Sequence, residues 1–317
     1  MNLSVISSQF WSLLLQGTAL GFIYVLISLG YTMVYGVLRL INFANSEVVM
    51  VGTFATVVAQ VTILHNDPLS DPLHGWTLIF TLLFAALFSA LTCGLLGVLI
   101  ELVAYRRLRA RGTNRLASLI SAIAASIVIS ECVRILSKSA PVTSPRLLEK
   151  WSFGQLGGAN FRIDIVLIII TGALIFFTLD RFVNTSRLGK AIRAVSMSEE
   201  NSKLMGINLD RVVSLTFFIG GITTGIAGFF YTTVYETTQF NVGFNLGLAA
   251  FTAAVLGGIG NLRGAFYGGL FLGILEQFAS AILGSQWKSV TVFLVLVLVL
   301  LLKPSGIFGE AVQQTRT

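Results

Sequence analysis

Long apolar runs separated by short polar stretches constrain this chain more than any motif in it. A helix needs roughly 20 apolar residues to cross a bilayer core. Runs of this order occur near residues 10–29, 48–64, 76–104, 116–136, 163–182, 212–234, 246–259, 265–283 and 290–302. The 317 residues are 55% hydrophobic and 11% charged, with a mean hydropathy of +0.85. That is too little charge for a globular protein to solvate itself, since the usual charged fraction is about 25%. The pattern predicts an all-α polytopic transmembrane helical bundle of about 8–10 spans, nine by this reading, with residues 1–317 forming a single transmembrane domain.

Two segments do not read as simple spans. Gly257, Gly258, Gly260 and Gly264 surround Asn261 and Arg263, a pattern that supports a broken or re-entrant hairpin within 246–283. Residues 31–45 are similarly ambiguous. No Lys or Arg precedes Arg39, so the apolar N-terminus lacks the basic region of a secretory signal and is expected to remain as a span. Cys93 and Cys132 fall in apolar runs without CxxC spacing and read as small packing residues.

Basic residues set the expected orientation. Arg106, Arg107, Arg109, Arg111 and Arg115 crowd one short loop with no acid among them, and Arg187, Lys190, Arg193 and Lys203 occupy a longer loop two crossings later. Both are expected in the cytoplasm. The loop at 65–75 carries Asp67 and Asp71 without Lys or Arg and is expected outside, as is the loop at 134–162 despite Lys138, Arg146 and Lys150. The N-terminus is then external and the C-terminus cytoplasmic. The net charge of +7 reads as topology rather than as a nucleic-acid surface.

Within the spans, Gly221 and Gly225, Gly264 and Gly268, and Gly269 and Gly273 form small-xxx-small pairs, suited either to packing inside the chain or to a contact between subunits. Four polar residues at membrane depth are candidates for a solute pathway. Glu276 lies midway along its span, where a carboxylate either faces a partner or water, or makes a structural hydrogen bond. Asn42, Asn45 and Glu47 cluster at a membrane threshold, as substrate contacts or as a helix cap. Glu131 and Arg134 are spaced to pair with each other.

The polar stretch at 180–211 interrupts the apolar pattern. Leu188, Ala191, Ile192 and Val195 fall at i, i+3, i+4 and i+7, so a short helix there has one apolar face, suited to a groove or to a surface connector. Gly206 with Asn208 reads as a helix stop, and Asp210-Arg211 as the start of the next span.

The runs RLGKAIRA at 187–194 and LMGINLDRV at 204–212 resemble the cytoplasmic loop of permease subunits of branched-chain and neutral amino acid ABC importers. YGVLRLINFA at 35–44 with Glu47 resembles that family's early motif, and FTAAVLGGIGN at 251–261 with Gly264, Gly268, Gly269 and Gly273 its glycine-rich late one. The likeness runs from about residue 17 to 276 and is to the H-type subunit, which lacks a long extra extension. It implies one half of a translocation pathway in a bacterial plasma (inner) membrane, surrounded by lipid. The implied partners are a second, different permease subunit, two cytoplasmic ABC ATPases and an extracytoplasmic solute-binding protein that delivers the amino acid. It implies no cofactor on this chain, with ATP and Mg on the ATPases. Arg187, Leu188, Gly189, Lys190, Ile192, Arg193, Leu204 and Gly206 would then couple to those ATPases across a loop at about 184–210.

The sequence fits this division, since it carries no G-x-x-x-x-G-K-[ST] phosphate loop. The chain departs from the family pattern in having Asn45-Ser46 for a His-Gly pair, Met197 and Ser198 close to where many relatives carry an acidic residue, and Ala249 for a Lys. The resemblance therefore implies neutral amino acids as a class. An ion-coupled secondary transporter is the rival, with Glu276 as its ion site and no need for the 180–211 loop. An intramembrane enzyme is a remote third reading: His65 and His74 both fall in a loop, and no H-E-x-x-H, G-x-S-x-G or metal-ligand cluster occurs.

Overall fold

A computed structural model describes residues 3–66, 72–112, 115–148, 152–156 and 159–309. Asp67, Asp71 and Lys150, used above for orientation, lie outside the described residues. The chain runs through α1 (Leu3–Leu38), α2 (Asn45–Val57, prolonged by π-turns over Val58–Ile63), α3 (Gly75–Ile100), a π-helical segment (Glu101–Arg106) and α4 (Arg107–Ala110) to α5 (Arg115–Leu136). Strands β1 (Val142–Thr143), β2 (Ser152–Leu156) and β3 (Ala159–Arg162) follow, then α6 (Ile163–Thr185), α7 (Arg187–Met197), α8 (Glu199–Leu204) and α9 (Leu209–Tyr235). The chain continues through β4 (Thr237–Thr238), α10 (Val242–Gly257), α11 (Leu262–Leu283), a 3-10 turn (Ser285–Trp287) and α12 (Lys288–Leu302). Short antiparallel pairs join β1 to β4 and β2 to β3.

Among the described residues, eight helical segments are long and apolar enough to cross a membrane, against the nine expected crossings. The difference lies in the glycine-rich region. α10 has 16 residues and therefore spans about 24 Å, less than the roughly 30 Å of a hydrocarbon core. It stops at Gly258 (φ +102°), the chain turns through Gly260 (φ +99°), and Asn261 caps α11 by accepting from the backbone N–H groups of Arg263 and Gly264. α10 and α11 thus form the tight hairpin that the glycines suggested.

The ambiguous stretch at 31–45 resolves into a continuous α1, an unwound turn and a new helix. The side-chain amide of Asn45, the first residue of α2, donates to the backbone oxygen of Ile27 at 3.4 Å. Ile27 precedes the end of α1 by eleven residues, so α2 begins about 16 Å back along α1.

α1 is the buried centre of the bundle and packs against α6, α9, α10 and α11. Lipid offers no hydrophobic drive between helices, so contact depends on close backbone approach. All three small-xxx-small pairs are used inside the chain. Gly269 and Gly273 of α11 receive Val25 and Gly21 of α1, Gly264 and Gly268 meet Gly257 and Ala253 of α10, and Gly221 and Gly225 meet Cys93 and Ser89 of α3. Away from these seams, Trp76, Phe80, Leu83, Leu87, Leu91 and Leu95 recur along one exposed face of α3, the surface a lipid-facing helix presents.

At Gly21 an added Cβ would lie 2.9 Å from the α-carbon of Leu270, backbone that cannot swing aside. Gly21→Leu is expected to destabilise the bundle by about 1–3 kcal/mol or more through overpacking, read as a lower thermal midpoint in detergent. Gly36→Ala, with no atom within 4 Å of the added Cβ in the helix, is the control expected not to lower the midpoint.

Candidate functional site

The polar stretch between α6 and α9 folds into an elbow of two short helices. Ser186 caps α7, its hydroxyl accepting from the Gly189 N–H at 2.9 Å, while Gly189 itself lies directly on the Val183 backbone, where a side chain has no room. Ser198 caps α8 by accepting from the Asn201 N–H at 3.2 Å. Gly206 (φ +79°) ends α8: its N–H donates to Lys203 O at 3.0 Å and the Ile207 N–H donates to Ser202 O at 3.0 Å. Those two bonds make a Schellman stop, which glycine accommodates without strain. Asn208 then caps α9 through the Arg211 N–H at 3.1 Å.

The apolar face of α7 points inward, which closes the possibility that it seeks a groove on a partner. Ile192 and Val195 are buried among Leu179, Val183, Leu209 and Val213 of α6 and α9. Arg193 donates to the side-chain and backbone oxygens of Asn184 at 3.1 and 3.2 Å, so it braces the elbow. Arg39, just past α1, donates to Ser196 O at 2.9 and 3.2 Å and holds the C-terminal end of α7. What faces outward is Arg187, Lys190, Leu188, Met197, Leu204 and Met205, the last three at 84%, 86% and 84% exposure.

Beneath the elbow lies an ionic cluster that joins α3 to α9. Glu101 is fully buried and accepts from Arg106 at 2.9 Å, Arg109 at 3.0 Å and the Ser214 hydroxyl at 2.9 Å. Arg109 also reaches Asp210 at 2.5 Å, at the first turn of α9. Two arginines of the acid-free loop thus pair with acids from outside it, Glu101 and Asp210.

The polar residues at membrane depth fall into two groups. Asn42 Oδ1 accepts from the Ala44 N–H and from the Tyr105 hydroxyl, both at 3.2 Å, and Asn45 joins Ile27 O to the Thr224 hydroxyl, which donates to it at 3.3 Å. Both tie helices together. Glu276 accepts from the Tyr24 hydroxyl at 2.6 Å and lines a cleft of about 280 Å³ with Tyr231, Tyr235, Ala249 and Lys288. Glu47 lines a second cleft, of about 440 Å³, between α2, α5 and α10. Glu131 pairs with Arg134 at 2.7 Å, as their spacing predicts. Among the described residues, no group of three or more His, Cys, Asp or Glu side chains is placed to hold a metal ion.

The description "Branched-chain amino acid transport system / permease component" matches residues 13–301. The chain belongs to this permease family. The permease is 40% identical to the high-affinity branched-chain amino acid transport system permease protein BraD of Pseudomonas aeruginosa, over 94% of this chain and 95% of that protein. It is 40% identical to the corresponding LivH of Escherichia coli over 96% of this chain and 98% of that protein, and 39% identical to LivH of Salmonella typhimurium over the same shares. It is a transport permease and not an enzyme, and the ion-coupled alternative falls away.

Glu101 is the residue of this permease that the sequence reading missed. In an α-helix the neighbour one turn on is Tyr105, and no pairing suggests itself. The π-turns over Glu101–Arg106 add a residue to that turn and bring Arg106 onto Glu101. Glu101→Ala removes a buried acceptor of three bonds, while Arg109 keeps Asp210 and Arg106 is 37% exposed, and it is expected to destabilise the permease by about 1.5–3 kcal/mol. Arg134→Ala, which breaks only the exposed Glu131 pair, is expected to leave the unfolding midpoint unchanged.

Proposed function

We propose that this permease forms half of the pathway of an ATP-driven importer of branched-chain or other neutral amino acids, paired with a second permease subunit. Two cytoplasmic ATPases carry ATP and Mg and grip the α7–α8 elbow, and a soluble binding protein delivers the amino acid from outside. The relatives are named for high-affinity branched-chain amino acid transport, and this supports the substrate class. In this reading the multi-pass chain lies in a bacterial plasma membrane with its N-terminus external and its C-terminus cytoplasmic.

The elbow is the observation that carries the coupling role. Three apolar side chains, Met197, Leu204 and Met205, stand almost fully exposed on a segment that is otherwise capped, braced and anchored. An exposed apolar patch on a rigid mount, flanked by Arg187 and Lys190, is what a docking partner covers. Arg187, Leu188, Lys190 and Leu204 are the contacts, while Gly189, Ile192, Arg193 and Gly206 hold them in position. Closure of the ATPases then pushes on α7 and moves α6 and α9, its two flanking spans.

Uptake of labelled neutral amino acids is expected to be lost in a strain lacking this protein, and in the intact strain to survive collapse of the proton and sodium gradients while ATP is maintained. Loss on collapse despite intact ATP would overturn the ATP-driven reading. Leu204→Asp is expected to leave the permease in the membrane and abolish co-purification of the ATPases, whereas normal ATPase recovery would sink the docking role.

A further inference from the structure

Asn42 and Asn45 find partners within the chain and Glu276 takes the Tyr24 hydroxyl through Oε2, whereas Glu47 keeps one buried oxygen without a partner. It is 5% exposed, in the first turn of α2. Its Oε1 accepts from the hydroxyls of Ser126 at 3.3 Å and Ser46 at 3.4 Å, while its Oε2 has no hydrogen-bond partner. A buried acceptor left in this condition costs about 1–3 kcal/mol, and more when charged, so it calls for a donor from outside the chain. Oε2 is buried against α10, 3.0 Å from where a Cβ at position 243 would stand, and Gly243 leaves it just enough room there. The cleft that Glu47 lines, at about 440 Å³, has the size of a small-molecule site.

We infer that this cleft is a substrate subsite and that Glu47 receives the α-ammonium group of the amino acid as it passes. The inference rests on the amino-acid import reading above. An ammonium offers three donors, and a charge-assisted bond to Oε2 satisfies the orphaned acceptor. Ser130, Asn241 and Asn245 line the same cleft and supply donors for the substrate carboxylate, and Ile127 and Phe244 supply an apolar wall for its side chain. Glu131, the other acid there, is already paired with Arg134. A calcium or magnesium ion needs about six oxygen ligands, far more than one free carboxylate oxygen provides. A single charged contact also suits a passage, where the solute must bind well enough to enter and weakly enough to leave. The subsite accepts zwitterions and disfavours uncharged solutes of the same size.

The test uses the complete transporter in liposomes, with ATP on the ATPase side and saturating binding protein. The probe is labelled L-leucine, or the neutral amino acid that the uptake assay shows to be imported. Glu47→Gln, which keeps the shape and removes the charge, is expected to lower uptake at least tenfold while ATPase recovery and ATP hydrolysis remain, and Glu47→Asp to retain most of the uptake. Ser130→Trp fills the cleft from its other wall and leaves Glu47 in place. It is expected to block uptake, and it carries the test if Glu47→Gln does not assemble. Wild-type uptake by Glu47→Gln or by Ser130→Trp would overturn the subsite and leave the importer reading intact. Absence of neutral amino acid uptake by the unaltered complex would overturn that reading, and the subsite with it.

Discussion

The close approach of helix backbones at glycine is the constraint on which the rest of this structure depends. In a bilayer, apolar side chains gain little by leaving lipid for protein, so helices associate through van der Waals contact and polar bonds. Small residues therefore decide which surfaces meet. α1 and α11 touch through Gly17, Gly21, Gly269 and Gly273, and α3 and α9 through Gly94, Gly97, Gly221 and Gly225. These seams fix α1 in the centre and set α9 beside it. The elbow hangs from α6 and α9, so its placement follows from the same contacts.

Polar groups complete what the glycines allow. Ser89 donates to Gly52 O and Gly225 O at 2.9 and 2.8 Å, joining α2, α3 and α9 at one point, and Asn45 joins α1, α2 and α9 in the same way. Each bond removes a polar group from hydrocarbon and fixes a rotation about a helix axis, a degree of freedom that small residues alone leave loose. Near the elbow, Glu101 and its two arginines play this part with full charges. Helix order, rotation and the elbow thus rest on separate layers of interaction.

Much of this was legible in the sequence, because it rests on local chemistry. Gly206 was readable as a stop because a left-handed residue after a short helix favours glycine, and the glycine pairs were readable because their spacing fits one helix face. The direction of the α7 face was not readable: Leu188, Ala191, Ile192 and Val195 make the same stripe whether their cover comes from α6 and α9 or from another protein. Glu101 was hidden by a change of helical period, which no hydrophobic pattern announces. Asn42, Asn45, Glu47 and Glu276 looked alike because each is a polar residue in an apolar context. Only tertiary structure separates Glu47, with its buried unpartnered oxygen, from the other three.

The unwound stretch at 39–44 has a mechanical consequence. Six residues reach at most about 21 Å when fully extended. These must climb about 16 Å along α1, from the end of that helix to the level of Ile27, and still make the turn that starts α2. The tether is not extended throughout: its last residues fold into that turn, with the N–H groups of Asn45 and Ser46 donating to Asn42 O and Phe43 O at 3.1 and 3.3 Å. Its lower end, Arg39, is fastened to α7 through Ser196 O, and its upper end leads into Asn45 and Glu47. Arg39 and Asn45 are therefore the two anchored ends of one short connection. The covalent chain thus gives α7 a second link to the start of α2, beside the packing of α1 between them.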